Sequence, residues 1–360
     1  MIRYLWAVPA VALLSACAGG GASPSDSPTP GSRNRQAPQS QPAIPDKDRE
    51  AAAALGTYRT IDACGLHDIE AAEKVTGDLG DSILATSDGL NHCELHLHSA
   101  ENRTTWRLKL EVGARLLSPE RRELPERTLG AVEVYQRETE RNCTLSKPLD
   151  DLRTLELLVS PTGAGTPAKK PCQVATEYLT ETAALWSDPP ERADGRTTPR
   201  LSLAEQDPCT AASAVLDTYG EGAELNPVEV FACEAGPKPD PQAPRTSAPR
   251  ATRVSFVLDS DPARLVAALG NAGELALGGR KAVILQQGNG CSVYVVWDQD
   301  TGIVEDRRAR TPVTALELVH ISTASCESAQ AAAEKIVAKL GTPSRPADSG
   351  TAEITLGDLD

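Results

Sequence analysis

Aromatic side chains are scarce: the 360 residues include only 2 Phe, 4 Trp and 6 Tyr. Two of these, Tyr4 and Trp6, lie in an N-terminal segment expected to be removed, so the core must be built from Leu, Val, Ile and Ala. So few rings also argue against a binder that stacks sugars or bases on aromatic platforms. Positive charge is in deficit, with Lys+Arg at 36 against Asp+Glu at 50 and a formal net charge of -14. That balance disfavours nucleic-acid binding, which needs a basic surface to displace counterions from phosphate. The same balance argues against attachment to an anionic membrane by charge alone. No stretch reaches 18 apolar residues, the length a spanning helix needs. Cys-x-x-Cys spacing is missing, which argues against a zinc ribbon or a thioredoxin-type redox centre. Neither a Gly-x-Ser-x-Gly elbow nor a Gly-x-x-x-x-Gly-Lys-Ser/Thr loop is present.

What the N-terminus does carry is a short apolar run. Arg3 is followed by Leu5–Leu14, ten residues that cover about 15 Å as a helix, half of a bilayer core. This is the expected h-region of a signal peptide over residues 1–16. It ends in Leu14-Ser15-Ala16-Cys17, which resembles the bacterial lipobox. The resemblance implies that Cys17 carries diacylglycerol and that the chain is exported and lipid-anchored at the extracytoplasmic face of the cell membrane. Two or more acyl chains hold firmly where one binds only marginally. Residues 17–56 are expected to form a tether, because 18–45 is Gly, Ser, Pro, Gln and Asn with little apolar content to offset chain entropy. Its reach is about 30 Å. Residues 344–360 are expected to be an acidic loose tail.

Removing Cys17 from nine cysteines leaves an even set: Cys64, Cys93, Cys143, Cys172, Cys209, Cys233, Cys291 and Cys326. In an exported chain this reads as disulfides. Spacings of 29, 50 and 29 in the first four and 24, 58 and 35 in the second invite a comparison of halves. Asp62-Ala63-Cys64 matches Asp207-Pro208-Cys209, and Asp with Pro suits the start of a helix. Gly77 and Gly220 are matching helix stops. Leu129-Gly130 and Leu277-Gly278 each stand fourteen residues before the third cysteine, and the tripeptides Leu155-Glu156-Leu157 and Leu316-Glu317-Leu318 are identical. From the fourth cysteine, apolar residues recur at helical spacing: Ala175, Leu179, Ala183, Trp186 and Ala329, Ala333, Val337, Leu340.

These matches predict two tandem α+β domains, 57–192 and 193–343. Each is an antiparallel sheet flanked by an opening and a closing helix, with two disulfides. Four cysteines allow three pairings per domain. The second copy carries a fuller pattern: Asp207-Pro208-Cys209, Cys233, Leu277-Gly278, Cys291-Ser292-Val293-Tyr294-Val295 and Cys326-Glu327-Ser328-Ala329. Over about 57–343 this resembles a family of actinobacterial lipoproteins with a disulfide-stapled domain of unknown function. More distantly, it is similar to extracytoplasmic sensor domains of actinobacterial serine/threonine kinases. The resemblance implies disulfides and not a catalytic site. The first copy departs from it at Cys143-Thr144-Leu145-Ser146-Lys147-Pro148, so that strand is expected to be short or irregular.

One cluster has metal-ligating chemistry. In His92-Cys93-Glu94-Leu95-His96-Leu97-His98, strand alternation sends Cys93, Leu95 and Leu97 inward and His92, Glu94, His96 and His98 to the other face. A Cys64–Cys93 bridge would bring His67 near them, a set suited to Zn²⁺ or Cu²⁺. The competing reading is a solvent face that happens to hold histidines. Gly278-Gly279-Arg280-Lys281 reads as a tight turn, and Asp150-Asp151 and Glu305-Asp306 as solvated charge. No cofactor and no enzymatic activity are expected. The expected role is a non-catalytic binding or sensor module for an envelope protein; the alternative is a carrier or scavenger of a small ligand, lipid or metal ion.

Overall fold

Apolar residues at alternate positions generate strands, and fourteen of them form two antiparallel sheets of seven among the described residues. The structure is a computed structural model that describes residues 44–77, 81–85, 89–98, 104–163, 167–194, 201–238, 251–288, 290–304 and 314–343. The expected signal peptide, Cys17, most of the tether, Glu305-Asp306 and the acidic tail lie outside the described residues.

The first sheet contains β1 (Asp81–Ala85), β2 (His92–His98), β3 (Thr104–Arg115), β4 (Glu126–Leu129), β5 (Val132–Glu138), β6 (Cys143–Pro148) and β7 (Arg153–Gly163), in the order β1-β2-β3-β7-β6-β5-β4. The second contains β8 (Glu224–Glu229), β9 (Ala232–Gly236), β10 (Thr252–Ser260), β11 (Ala272–Leu277), β12 (Arg280–Gln287), β13 (Gly290–Val304) and β14 (Thr314–Thr323). Read from the β8 edge, its order is β8-β9-β10-β14-β13-β12-β11, the first order seven strands later.

One face of each sheet carries fully buried apolar residues: Leu108, Leu110, Leu155, Leu157 and Val159 in the first, Val254, Val293, Val295 and Ile321 in the second. Helices Ile69–Thr76 and Pro171–Glu181 pack on the first sheet, and Pro208–Ala212 and Cys326–Leu340 on the second. Their starts follow from capping: Asp68 accepts from the Ala71 amide, Asp207 from that of Cys209, and Ser325 from that of Ser328. Gly77 and Gly220 end their helical segments at positive φ, as expected. Leu129-Gly130 and Leu277-Gly278 both lie at hairpin turns, β4–β5 and β11–β12.

The bridges are Cys64–Cys93, Cys143–Cys172, Cys209–Cys233 and Cys291–Cys326. First pairs with second and third with fourth in each half, which closes the choice left open by the sequence. Separations of 29, 29, 24 and 35 residues correspond to about 3–4 kcal/mol each in the chain-entropy treatment.

Three expectations change. The tether does not extend to residue 56, because Arg49–Arg59 is a helix with Leu55 and Tyr58 buried; its run of Ala and Leu favours helix. The first closing helix stops at Glu181 and resumes over Ala183–Ser187 to seat Trp186, whereas Cys326–Leu340 is continuous. The two Leu-Glu-Leu tripeptides are not equivalent. Cys143 pairs with Val159, three residues past Glu156, while Cys291 pairs with Thr323, six past Glu317. An odd offset reverses the face. Glu156 points away from the helices, whereas Glu317 is fully buried on the helix side, accepting from Ser202 Oγ at 3.0 Å and the Leu203 amide at 2.7 Å. The expected short strand is found, with β6 at 6 residues against 15 for β13.

The halves meet where the β8–β9 turn reaches β3 and β7. At Gly113 a bulge interrupts the β3–β7 register, φ is +78°, and an added Cβ would overlap the Val230 Cγ2 methyl. Gly113→Ala is therefore expected to lower stability by about 2 kcal/mol or more in urea unfolding. Adding Val230→Ala should recover the steric part but not the backbone part. An unchanged midpoint for the single variant would contradict this reading of the bulge.

Candidate functional site

Three arginines of the first half hold the turn of the second. Arg59 Nη1 donates to the Val230 carbonyl at 3.2 Å, and its Nη2 lies 3.3 Å from Asp207 Oδ1. Arg192 donates to the carbonyls of Arg59, at 3.1 Å, and Leu90, and its guanidinium lies 5.7 Å from the Phe231 ring centroid. Arg153 donates to the Gly113 carbonyl at 3.3 Å and to that of Val228. Burial lowers the pKa of all three, and carboxylates counter it: Asp207 for Arg59, Asp62 for Arg192, Asp150 and Glu229 for Arg153. Asp150, expected to be solvated, is structural. It accepts from Tyr58 Oη at 2.7 Å and from the amides of Leu152 and Arg153 at 2.6 and 2.7 Å.

Beside this junction lies a cleft of about 400 Å³. Its first wall is the start of β2 with His92, then Glu111 and Arg115 of β3 and Arg153 of β7. The second wall is the β8–β9 turn with Glu229 and Phe231, then Glu234, Arg253 and Ser255. Arg253 lies 2.6 Å from Glu229 and 3.8 Å from Glu234. His92 Nε2 lies 3.0 Å from Glu111 Oε2. Burial alone would raise the Glu111 pKa, but the adjacent His92 imidazole and the charges of Lys109 and Arg153 outweigh it and hold it below the usual range. Glu156, opposite Glu111 on β7, is pushed up by burial and by the Glu111 charge.

Arg115 and Arg153 face each other on one rung of the ladder. Like charges directly opposite are unfavourable in a sheet. Arg153 is half-buried, and after burial the Arg115 charge is the next influence lowering its pKa. Beyond Ser255, the same rung of the second sheet carries His320 and then Tyr294, stacked at 4.4 Å between centroids and 3° between planes. His320 Nε2 is 3.1 Å from Ser292 Oγ, and burial, then the Arg253 charge, brings its pKa down to about 4. A cleft with guanidinium, carboxylate and imidazole groups on opposed walls is equipped to recognise a ligand by charge and shape. A second cavity of about 430 Å³ lies beside Arg59 and Arg192; the stretch 195–200 next to its lining residues Arg192, Ala193 and Leu201 is outside the described residues.

The histidine set divides. His96 Nε2 is 3.0 Å from Glu94 Oε2, His92 pairs with Glu111, and the side chain of His98 lies outside the described residues. His67 is buried, with Nδ1 3.1 Å from Tyr178 Oη and Nε2 3.2 Å from the Cys93 carbonyl. Both ring nitrogens are thus engaged. Among the described residues no group of three or more His, Cys, Asp or Glu is arranged to hold a metal ion. Sequence reasoning missed Arg59, Arg115, Arg153, Arg192 and Arg253, since no local spacing marks an arginine whose partners lie in the other half.

Comparison of the chain with family models, curated proteins and solved structures yields no match.

Burial lowers the His67 pKa to about 4, below the unfolded value of about 6.5. Between those values the unfolded chain binds the proton and the folded chain does not. The contribution of neutral His67 is therefore full above about pH 6.5 and is lost as pH falls toward 4. His67→Gln should shrink the loss of stability between pH 7 and pH 5 by about 2 kcal/mol. Chemical unfolding of both proteins at the two pH values measures it, and equal losses would contradict the assignment.

Proposed function

We propose that this chain is a cell-envelope lipoprotein, exported and acylated at Cys17. Its folded part is a non-catalytic binding or sensor module at the extracytoplasmic face, and the cleft between the two sheets is its binding site. The observation that carries this reading is the cleft itself. Its walls come from both halves, and charged side chains line it rather than a continuous apolar core. The lipobox-like Leu14-Ser15-Ala16-Cys17, the four disulfides and the resemblance to actinobacterial lipoproteins support the envelope placement.

We further propose that the halves are tandem copies of one domain, each a sheet with an opening and a closing helix. The repeated strand order, the repeated 1–2 and 3–4 bridges and the two Leu-Gly turns support this. A second reading, a carrier or scavenger of a small ligand, draws on the cleft volume of about 400 Å³, which is within the range of small-molecule sites.

Two measurements test these readings. In detergent phase partition the full chain is expected in the detergent phase and Cys17→Ala in the aqueous phase; an aqueous wild type would refute the anchor. Hydrogen–deuterium exchange of the full chain with envelope extract should slow at 89–92, 228–231 and 253–257. Unchanged exchange there would remove the cleft as the binding site. Native mass spectrometry of the same preparation separates the roles: a bound small mass favours the carrier, a bare chain the interaction module.

A further inference from the structure

We infer that Arg115 and Arg153 form a subsite for a carboxylate at the mouth of the cleft, an inference that rests on the cleft being the binding site. The two arginines stand directly opposite on adjacent strands, an arrangement that costs free energy and that a bound anion would relieve. Arg153 is fixed in place by the Gly113 and Val228 carbonyls. Arg115 is exposed and has no hydrogen-bond or ion-pair partner among the described residues. Asp150 and Glu229 counter the Arg153 charge and Glu229 and Glu234 that of Arg253, so Arg115 is the cation of the cleft left to a ligand among the described residues.

The fold does not require this pair. Arg153 stands six residues before the partner of Cys143, and Glu317 six before the partner of Cys291. Across from Arg153 is Arg115, and across from Glu317 is Leu258. The matching rung of the second sheet is thus Leu258–Glu317, an apolar residue beside a carboxylate.

The neighbours set the ligand class. Glu111, Glu229 and Glu234 share the cleft with the arginines. They repel a group of more than one negative charge, so a monoanion is favoured over a phosphate dianion. A planar carboxylate also matches the fork of a guanidinium, which presents two parallel N–H donors. The volume of about 400 Å³ leaves room for a peptide-sized body behind that group.

Isothermal titration of the full chain at constant ionic strength tests this with three probes: N-acetyl-alanyl-alanine, its C-terminal amide, and inorganic phosphate. The acid is expected to bind about tenfold or more tighter than the amide. Arg115→Gln should abolish that ratio, Arg115→Lys should restore part of it, and Arg141→Gln, an exposed turn position, should leave it intact. Equal binding of acid and amide, saturation by phosphate alone, or a ratio unmoved by Arg115→Gln would each overturn the subsite. If no probe binds while envelope extract still slows exchange at the cleft, the subsite fails and the cleft stands; if neither occurs, both fail.

Discussion

The arrangement of the two halves depends on three guanidinium groups of the first that donate to main-chain carbonyls at one junction. A hairpin turn has carbonyls that its own ladder leaves unpaired, and burying them against another sheet would be costly. Arg59 and Arg153 meet the carbonyls of Val230 and Val228, and Arg192 sits against Phe231. A buried charge needs a partner as well. Asp207, Asp62, Asp150 and Glu229 supply it, so the same groups satisfy the turn and are themselves compensated. The bulge at Gly113 exists beside this contact because only a residue without a side chain lets the turn approach.

Much of each half was legible locally. Alternation in His92–His98 placed Cys93, Leu95 and Leu97 in the core, where all three are fully buried. Asp207-Pro208 marked a helix start and Leu-Gly marked the hairpins, because capping and left-handed turns depend on a few adjacent residues. The even cysteine count gave the bridges but not their partners. Register was less legible, since identical tripeptides slid by three residues keep their apolar pattern while exchanging faces. The cleft was not legible at all: His92 and Arg253 lie 161 positions apart in sequence, and nothing near either one marks the other as a neighbour.

The faces turned away from the helices have diverged although the strand order is shared. Glu156, beside Glu111 in the first sheet, corresponds by rung to His320, beside Ser255 and stacked on Tyr294 in the second. Charge repulsion on one side is replaced by ring stacking on the other. The sheets differ as well at the rung of Arg153 and Glu317, where the first holds the junction and the second, on the helix side, fastens Ser202 and Leu203 to the core. The scaffold tolerates opposite charges at one rung because strand pairing and disulfides, rather than those side chains, define it.

The order of the bridges bears on how the protein matures. After Cys17 the cysteines pair off consecutively along the chain, first with second, third with fourth and so on, across 24 to 35 residues. If the chain is exported from its N-terminus, as proposed above, each cysteine from Cys64 onward would meet its correct partner before any later one. Each bond could then form as its second thiol emerged, ahead of the more distant strand pairings such as β3 with β7. Oxidation in sequence would yield the native set without later reshuffling, so an enzyme that forms disulfides would suffice where nonconsecutive pairing would need one that rearranges them.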